Sequence, residues 1–145
     1  MSCESNEKLN QLLKGEHMAI KAIGDVISVV KEPELKNSLT AVQNRHHDNV
    51  QVLASHLASR GATPEQSAGI LGAISGVSTR INNLVNSDPA KMLEHLCEGE
   101  DRGIQMAQQV VDGFLDQESL KLVKNILDND RKNLKILRKE LNRYG

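Results

Sequence analysis

The chain has 145 residues, 18 Lys and Arg against 19 Asp and Glu, and no aromatic side chain beyond Phe114 and Tyr144. So few rings leave bases nothing to stack on, and a net charge of −1 offers no footprint for phosphate backbones or anionic lipid. Nucleic acid and membrane surfaces are therefore not expected as partners, and one domain with a self-sufficient core is the expectation at this length.

In chain order, residues 1–5 are polar and lack the apolar run of a signal peptide. A first helix is predicted at roughly 6–31, where Leu9, Leu13, Ile20, Ile23, Ile27 and Val30 recur at spacings of three and four. Pro33 suits the first turn of a second helix, at roughly 33–59, with Leu39, Val42, Val50, Leu53 and Leu57 as its stripe. Thr63-Pro64-Glu65-Gln66 reads as a cap, a first-turn Pro and a capping-box Gln, and predicts a crossover helix at roughly 65–84. That segment carries Gly69, Gly72 and Gly76 on one face, for packing on its own bundle or on a second copy. Its most lipid-like run, residues 68–77, is half the length of about 20 that a membrane span needs. Asp88-Pro89 repeats the cap-then-Pro signal ahead of a helix at roughly 88–114, with Leu93, Leu96, Ile104, Ala107, Val111 and Phe114. The last helix, at roughly 117–143, carries Val123, Ile126, Leu134, Leu137 and Leu141. Strand signals are absent. Cys3 and Cys97 make no disulfide framework or zinc motif, so a soluble cytoplasmic chain is expected.

Four helices of about 26 residues, each roughly 39 Å long, with short links inside each pair and a long connection over 60–87, describe a four-helix bundle with one crossover. An internal repeat supports this. A constant shift of 84 positions lays Gly15-Glu16 on Gly99-Glu100, Ile20 on Ile104 and Glu34 on Glu118. The same shift lays Val50, Leu53 and Leu57 on Leu134, Leu137 and Leu141. The expected organisation is one domain, 1–145, built from two hairpins at about 6–59 and 88–143.

Each stripe is broken once at its middle, by Glu16, His46, Glu100 and Asp130. Glu16 and His46 lie about 21–24 Å from the first turn, and Glu100 and Asp130 bear the same relation to the second. With the turns at opposite ends, the four are expected to converge. Buried charge is costly without a partner or a metal. Three carboxylates and an imidazole suit iron, manganese or zinc. The other open reading is a metal-free polar layer that fixes helix register, with His46 protonated against the acids.

The remaining candidates carry less. His17 and His47 adjoin the cluster as solvent-edge side chains, while His56 and His95 read as ordinary surface residues. Cys97 reads as a small buried hydrophobe. The charges of 131–143, such as Arg138, Lys139 and Glu140, read as a solvated face.

Gly15-Glu16, the run Cys97-Glu98-Gly99-Glu100-Asp101 and the run Gln43-Asn44-Arg45-His46-His47 resemble a ferritin-like protein, more narrowly a family of uncharacterised bacterial ferritin-like proteins. The resemblance extends from about Leu9 to Leu141 and takes in Glu32-Pro33-Glu34-Leu35 and Arg60-Gly61-Ala62-Thr63-Pro64. It implies an all-α, ferritin-like four-helix bundle. Di-iron members take one Glu from each of two helices and a Glu-x-x-His from each of the other two. Glu16 and Glu100 match the lone Glu positions. The rest departs: Gln43-x-x-His46 has an amide where the pattern has Glu, and Leu127-x-x-Asp130 has neither Glu nor His. The resemblance thus implies a degenerate site for iron or another divalent transition metal, with Glu16, His46, Glu100 and Asp130 as ligands. Gln43 and His47 are the less favoured candidates. The alternative is a metal-free structural or partner-binding bundle. Either way a homo-oligomer, a dimer in the simplest case, is expected, and no catalytic residue is assigned.

Overall fold

A computed structural model describes residues 3–66, 88–113 and 116–144. These residues form four helices: α1 (Cys3–Val29), α2 (Pro33–Ser59), α3 (Pro89–Asp112) and α4 (Gln117–Tyr144). Among the described residues no strand occurs and no helix is long and apolar enough to cross a membrane. Most of the predicted crossover helix, and Phe114, lie outside the described residues.

The helix ends follow local chemistry. Pro33 and Pro89 each sit in a first turn, where a missing N–H costs nothing. Asp88 caps α3 by accepting from Lys91 N at 3.1 Å. Asp116 caps α4 in the same way, through Ser119 N at 2.9 Å. The end of α2 is a left-handed cap: Gly61 has φ +77°, its N–H bonds Ala58 O at 3.0 Å, and Ala62 N bonds Leu57 O at 3.0 Å. Beyond it, residues 62–66 run without helix along α1. Asn10 holds both Thr63 O and Glu65 N at 3.0 Å, and His17 Nε2 lies 2.9 Å from Glu65 O. The predicted helix start at 65 is thus not met at 65 and 66, because side chains of α1 satisfy the backbone groups a first helical turn would use.

The packing is square. α1 lies against α2 and α3, and α4 lies against α3 and α2. The two hairpin turns sit at opposite ends. Next to the α1–α2 turn, Arg143 and Tyr144 of α4 bond Glu32. Next to the α3–α4 turn, Arg60 at the end of α2 holds Asp116 at 2.6 Å. The apolar core falls into two clusters. One gathers Ile23, Val26, Leu35, Leu39, Leu93 and Leu137; the other gathers Leu9, Leu13, Leu53, Leu57, Val123 and Ile126. Between them lies a layer of buried polar side chains.

Several flanking assignments differ from expectation. Val110, not Val111, is the buried residue on α3, and Glu140 is buried rather than part of a solvated face. Glu140 accepts from Ser38 Oγ at 2.7 Å and from Arg143. His56 is also buried, with Nε2 2.8 Å from Ser119 Oγ. A core-facing helix buries more than a single line of positions, so residues beside the stripe are buried wherever a partner can satisfy them.

Candidate metal centre

Each helix contributes to the central layer from the one point where its apolar stripe is interrupted. Glu16, His46, Glu100 and Asp130 are all buried there. His46 is the hub. Its Nδ1 bonds Glu16 Oε2 and lies 3.8 Å from Asp130 Oδ1, while its Nε2 lies 3.1 Å from Glu100 Oε2. One ring thus links carboxylates from both hairpins.

Two further residues belong to the layer. Asn49 Nδ2 donates to Glu16 Oε2 at 3.3 Å and to Asp130 Oδ1 at 3.2 Å, and Asn49 Oδ1 accepts from Asn129 Nδ2 at 3.0 Å. Asn133 Nδ2 lies 3.4 Å from His46 Nε2. The signal for both was in the sequence. Each Asn stands three residues after the stripe interruption and four before a core Leu, and the 84-residue shift lays Asn49 on Asn133. The other two candidates stand apart. Gln43 turns to α1 and donates to Ile20 O at 3.0 Å, and His47 is exposed.

Electrostatics sets the protonation of this layer. Burial works against a charged His46, but its bonds to Glu100 and Glu16, and their charge, outweigh that and hold it well above the usual imidazole range. Burial, reinforced by the charge of Glu16, pushes Asp130 up to about 9, with His46 opposing. Without a metal the layer is therefore an imidazolium clamped between two glutamates beside a protonated aspartic acid.

The same atoms suit a cation. One donor atom from each of Glu16, His46 and Asp130 lies within 4.8 Å of the others, all three residues buried. The His46 atom facing both acids is Nδ1, which leaves Nε2–H to Glu100. A histidine ligand that gives its second N–H to a carboxylate has its tautomer and ring orientation fixed. Both oxygens of Glu100 lie 3.1 Å from His46 Nε2, so the ring N–H faces the whole carboxylate. Elsewhere, burial pushes the Cys97 thiol up to about 11, as for an inert packed cysteine.

The sequence matches a domain of unknown function, DUF2383, over residues 4–113. No curated protein matches the chain. Among solved structures, the bacterioferritin-related protein from Bacteroides fragilis, a dodecameric thioferritin, superposes with a TM-score of 0.75 at 14% identity, covering 97% of this chain and 86% of that one. At that identity the match establishes the fold, a ferritin-like helical bundle.

Proposed function

The chain belongs to the DUF2383 family, and on that footing we propose that it is a bundle that holds one divalent transition metal, iron foremost. The observation that carries the reading is the buried convergence of Glu16, His46 and Asp130. Glu100 completes the site, as a further oxygen ligand or as the acceptor that orients His46. The solved neighbour is a dodecameric thioferritin, which supports iron as the ion and self-assembly as the working state. Gln43 and Leu127 stand where two bridging glutamates would be needed, which supports one ion over a di-iron pair. Cys97 is a free thiol, which fits a cytoplasmic location.

When bound, the ion supplies a Lewis acid and, as iron, a one-electron couple. The protein's own residues set the terms. His46 must give up a proton to offer Nδ1, and Asp130 must give up another to offer a carboxylate. Asn49 holds the oxygens of Glu16 and Asp130 on one side of the layer. Titration of the untagged, metal-free protein with cobalt(II), then ferrous iron, tests the reading. One equivalent should bind, and Glu16→Ala with His46→Ala should abolish it. Binding below roughly 0.1 equivalent, or binding the double variant retains, defeats it.

A second reading rests on the clamped imidazolium itself: a metal-free layer that fixes register in a structural, self-assembling bundle. It requires that the same titration fail and that the protein sediment as an oligomer.

A further inference from the structure

The 84-residue repeat makes Asn49 and Asn133 equivalent, and both are buried, 1% and 0% exposed. Their surroundings are not equivalent. Asn49 uses its whole amide: Nδ2 donates to Glu16 Oε2 at 3.3 Å and to Asp130 Oδ1 at 3.2 Å, and Oδ1 accepts from Asn129 Nδ2 at 3.0 Å. Asn133 does not. Its Nδ2 lies 3.4 Å from His46 Nε2, a nitrogen already turned to Glu100, and its Oδ1 has no hydrogen-bond partner among the described residues. The difference falls at one position of the repeat. Where α4 carries Asn129 beside the Asn49 amide, the matching residue of α2 is Arg45, whose Nη1 is buried with no hydrogen-bond partner among the described residues.

The held amide sits between the acids. Glu16 Oε2 and Asp130 Oδ1 come from different hairpins, and the same two oxygens flank His46 Nδ1, one bonded to it and the other at 3.8 Å. Nitrogen and oxygen thus alternate around one corner of the layer. Carboxylate oxygens repel one another, and the amide hydrogens between these two offset that repulsion and set their spacing. A half-turn of the amide would set Oδ1 against both acids, and the Asn129 N–H on that oxygen resists it.

We propose that Asn49 is the positioning residue of the metal centre, that Asn129 acts through it by fixing its amide, and that Asn133 has no such role. This role presupposes the metal reading above and deepens it: one ion is taken at the corner built around Asn49, where two of its oxygen ligands are already in place. A carboxylate oxygen has lone pairs for both an amide hydrogen and an ion, so Asn49 keeps its bonds when the ion enters.

Titration of the metal-free protein and its variants with cobalt(II), read by visible absorption, tests the proposal. Asn49→Ala should weaken binding about 10–100-fold and alter the cobalt spectrum, because two ligand oxygens lose their common anchor. Asn133→Ala, as deeply buried at the equivalent position, should leave affinity within about threefold and the spectrum unchanged. Asn129→Ala should weaken binding about threefold or more, with no further loss when it is added to Asn49→Ala. If Asn49→Ala does not fold, Asn129→Ala is set against Asn125→Ala, an exposed amide one turn away on α4, and only the first should weaken binding. Equal losses in Asn49→Ala and Asn133→Ala mark a merely structural layer and overturn the proposal. So does unchanged binding in Asn49→Ala or in Asn129→Ala. Uptake below roughly 0.1 equivalent by the unmodified protein defeats the metal reading and this role together, whereas full uptake that ignores Asn49 defeats this role alone.

Discussion

The two hairpins are alike in the polar layer of their interior and unlike where the molecule meets solvent. Within, Glu16 and Asn49 of the first answer Glu100 and Asn133 of the second, and each hairpin's first link is gripped by the other's far end, Glu32 by Arg143 and Asp116 by Arg60. In the central layer the exchange is His46 against Asp130; nearer the ends buried His56 stands against Glu140 and Leu35 against Ser119. Outside, α4 exposes Lys121, Lys124, Arg131, Lys132, Lys135, Arg138 and Lys139, whereas the matching positions of α2 hold Asn37, Thr40, His47, Asp48, Gln51, Ala54 and Ser55. A repeated core tolerates divergence on its surface, where a charge changes little. Inside, the exchange of His46 for Asp130 decides whether the charges of the central layer balance.

The largest expected effect comes from breaking that exchange. His46→Asp leaves four buried acids and no cation, and denaturant unfolding should show about 3–5 kcal/mol lost. If the frame is truly twofold, adding Asp130→His should restore most of it, and a double variant no more stable than the single one breaks the comparison.

The next effect is a pH dependence shared by the exchanged pair. Unfolded, Asp130 ionises near 4, but folded it keeps its proton to about 9, so its contribution is fully present below about pH 4 and falls as pH rises across that window. His46, also raised, contributes fully below its unfolded value and loses that contribution as pH climbs through its folded one. Asp116, held down chiefly by the Ser119 N–H, runs the other way and loses its contribution as pH falls. The metal-free protein should therefore weaken by about 2 kcal/mol or more from pH 5 to pH 9. Asp130→Asn should flatten the slope, and metal affinity should rise over the same range. A slope unchanged in Asp130→Asn refutes the assignment.

The end clasps sharpen the comparison at smaller scale. The Arg60 side chain is 4% exposed and also reaches Asn6 and Ser119, whereas that of Arg143 is 33% exposed. Thermal unfolding should show about 2 kcal/mol lost in Arg60→Ala and a clearly smaller loss in Arg143→Ala. Equal losses would mean that the two ends are energetically alike.

Smallest are two glycines of opposite sign. Gly61→Ala forces a side chain into a left-handed cap and should cost about 1 kcal/mol. Gly15→Ala adds a methyl that meets none of the described residues within 4 Å, inside a helix, and should gain about 0.5–1 kcal/mol.

Much of this frame was legible in the sequence. Pro33 and Pro89 marked two helix starts, the apolar spacings marked which sides face inward, the 84-residue shift implied two like hairpins, and the long link between them put their turns at opposite ends. Glu16, His46, Glu100 and Asp130 stood out because each breaks an otherwise apolar line. Asn49 and Asn133 were missed because an amide three residues from a charged position looks like the flank of a stripe. His56 and Glu140 were missed for a related reason: their burial depends on Ser119 and Ser38, hydroxyl partners on another helix that spacing within one helix does not reveal. The charge balance of the whole chain hid the cationic side of α4, since an average carries no positions.

The His46–Asp130 exchange also governs which hairpin can accept which. Hairpins this similar invite mispairing between chains, first with first or second with second. Two copies of the second would bring two Glu100 and two Asp130 together with no cation, and two copies of the first would set two His46 beside two Glu16 without the aspartic acid that Asn49 now holds. Only the unlike pair reproduces the bonding seen here. The residue that ties the layer together thus also acts as a mating rule, favouring closure of a chain on itself over exchange of halves with its neighbours.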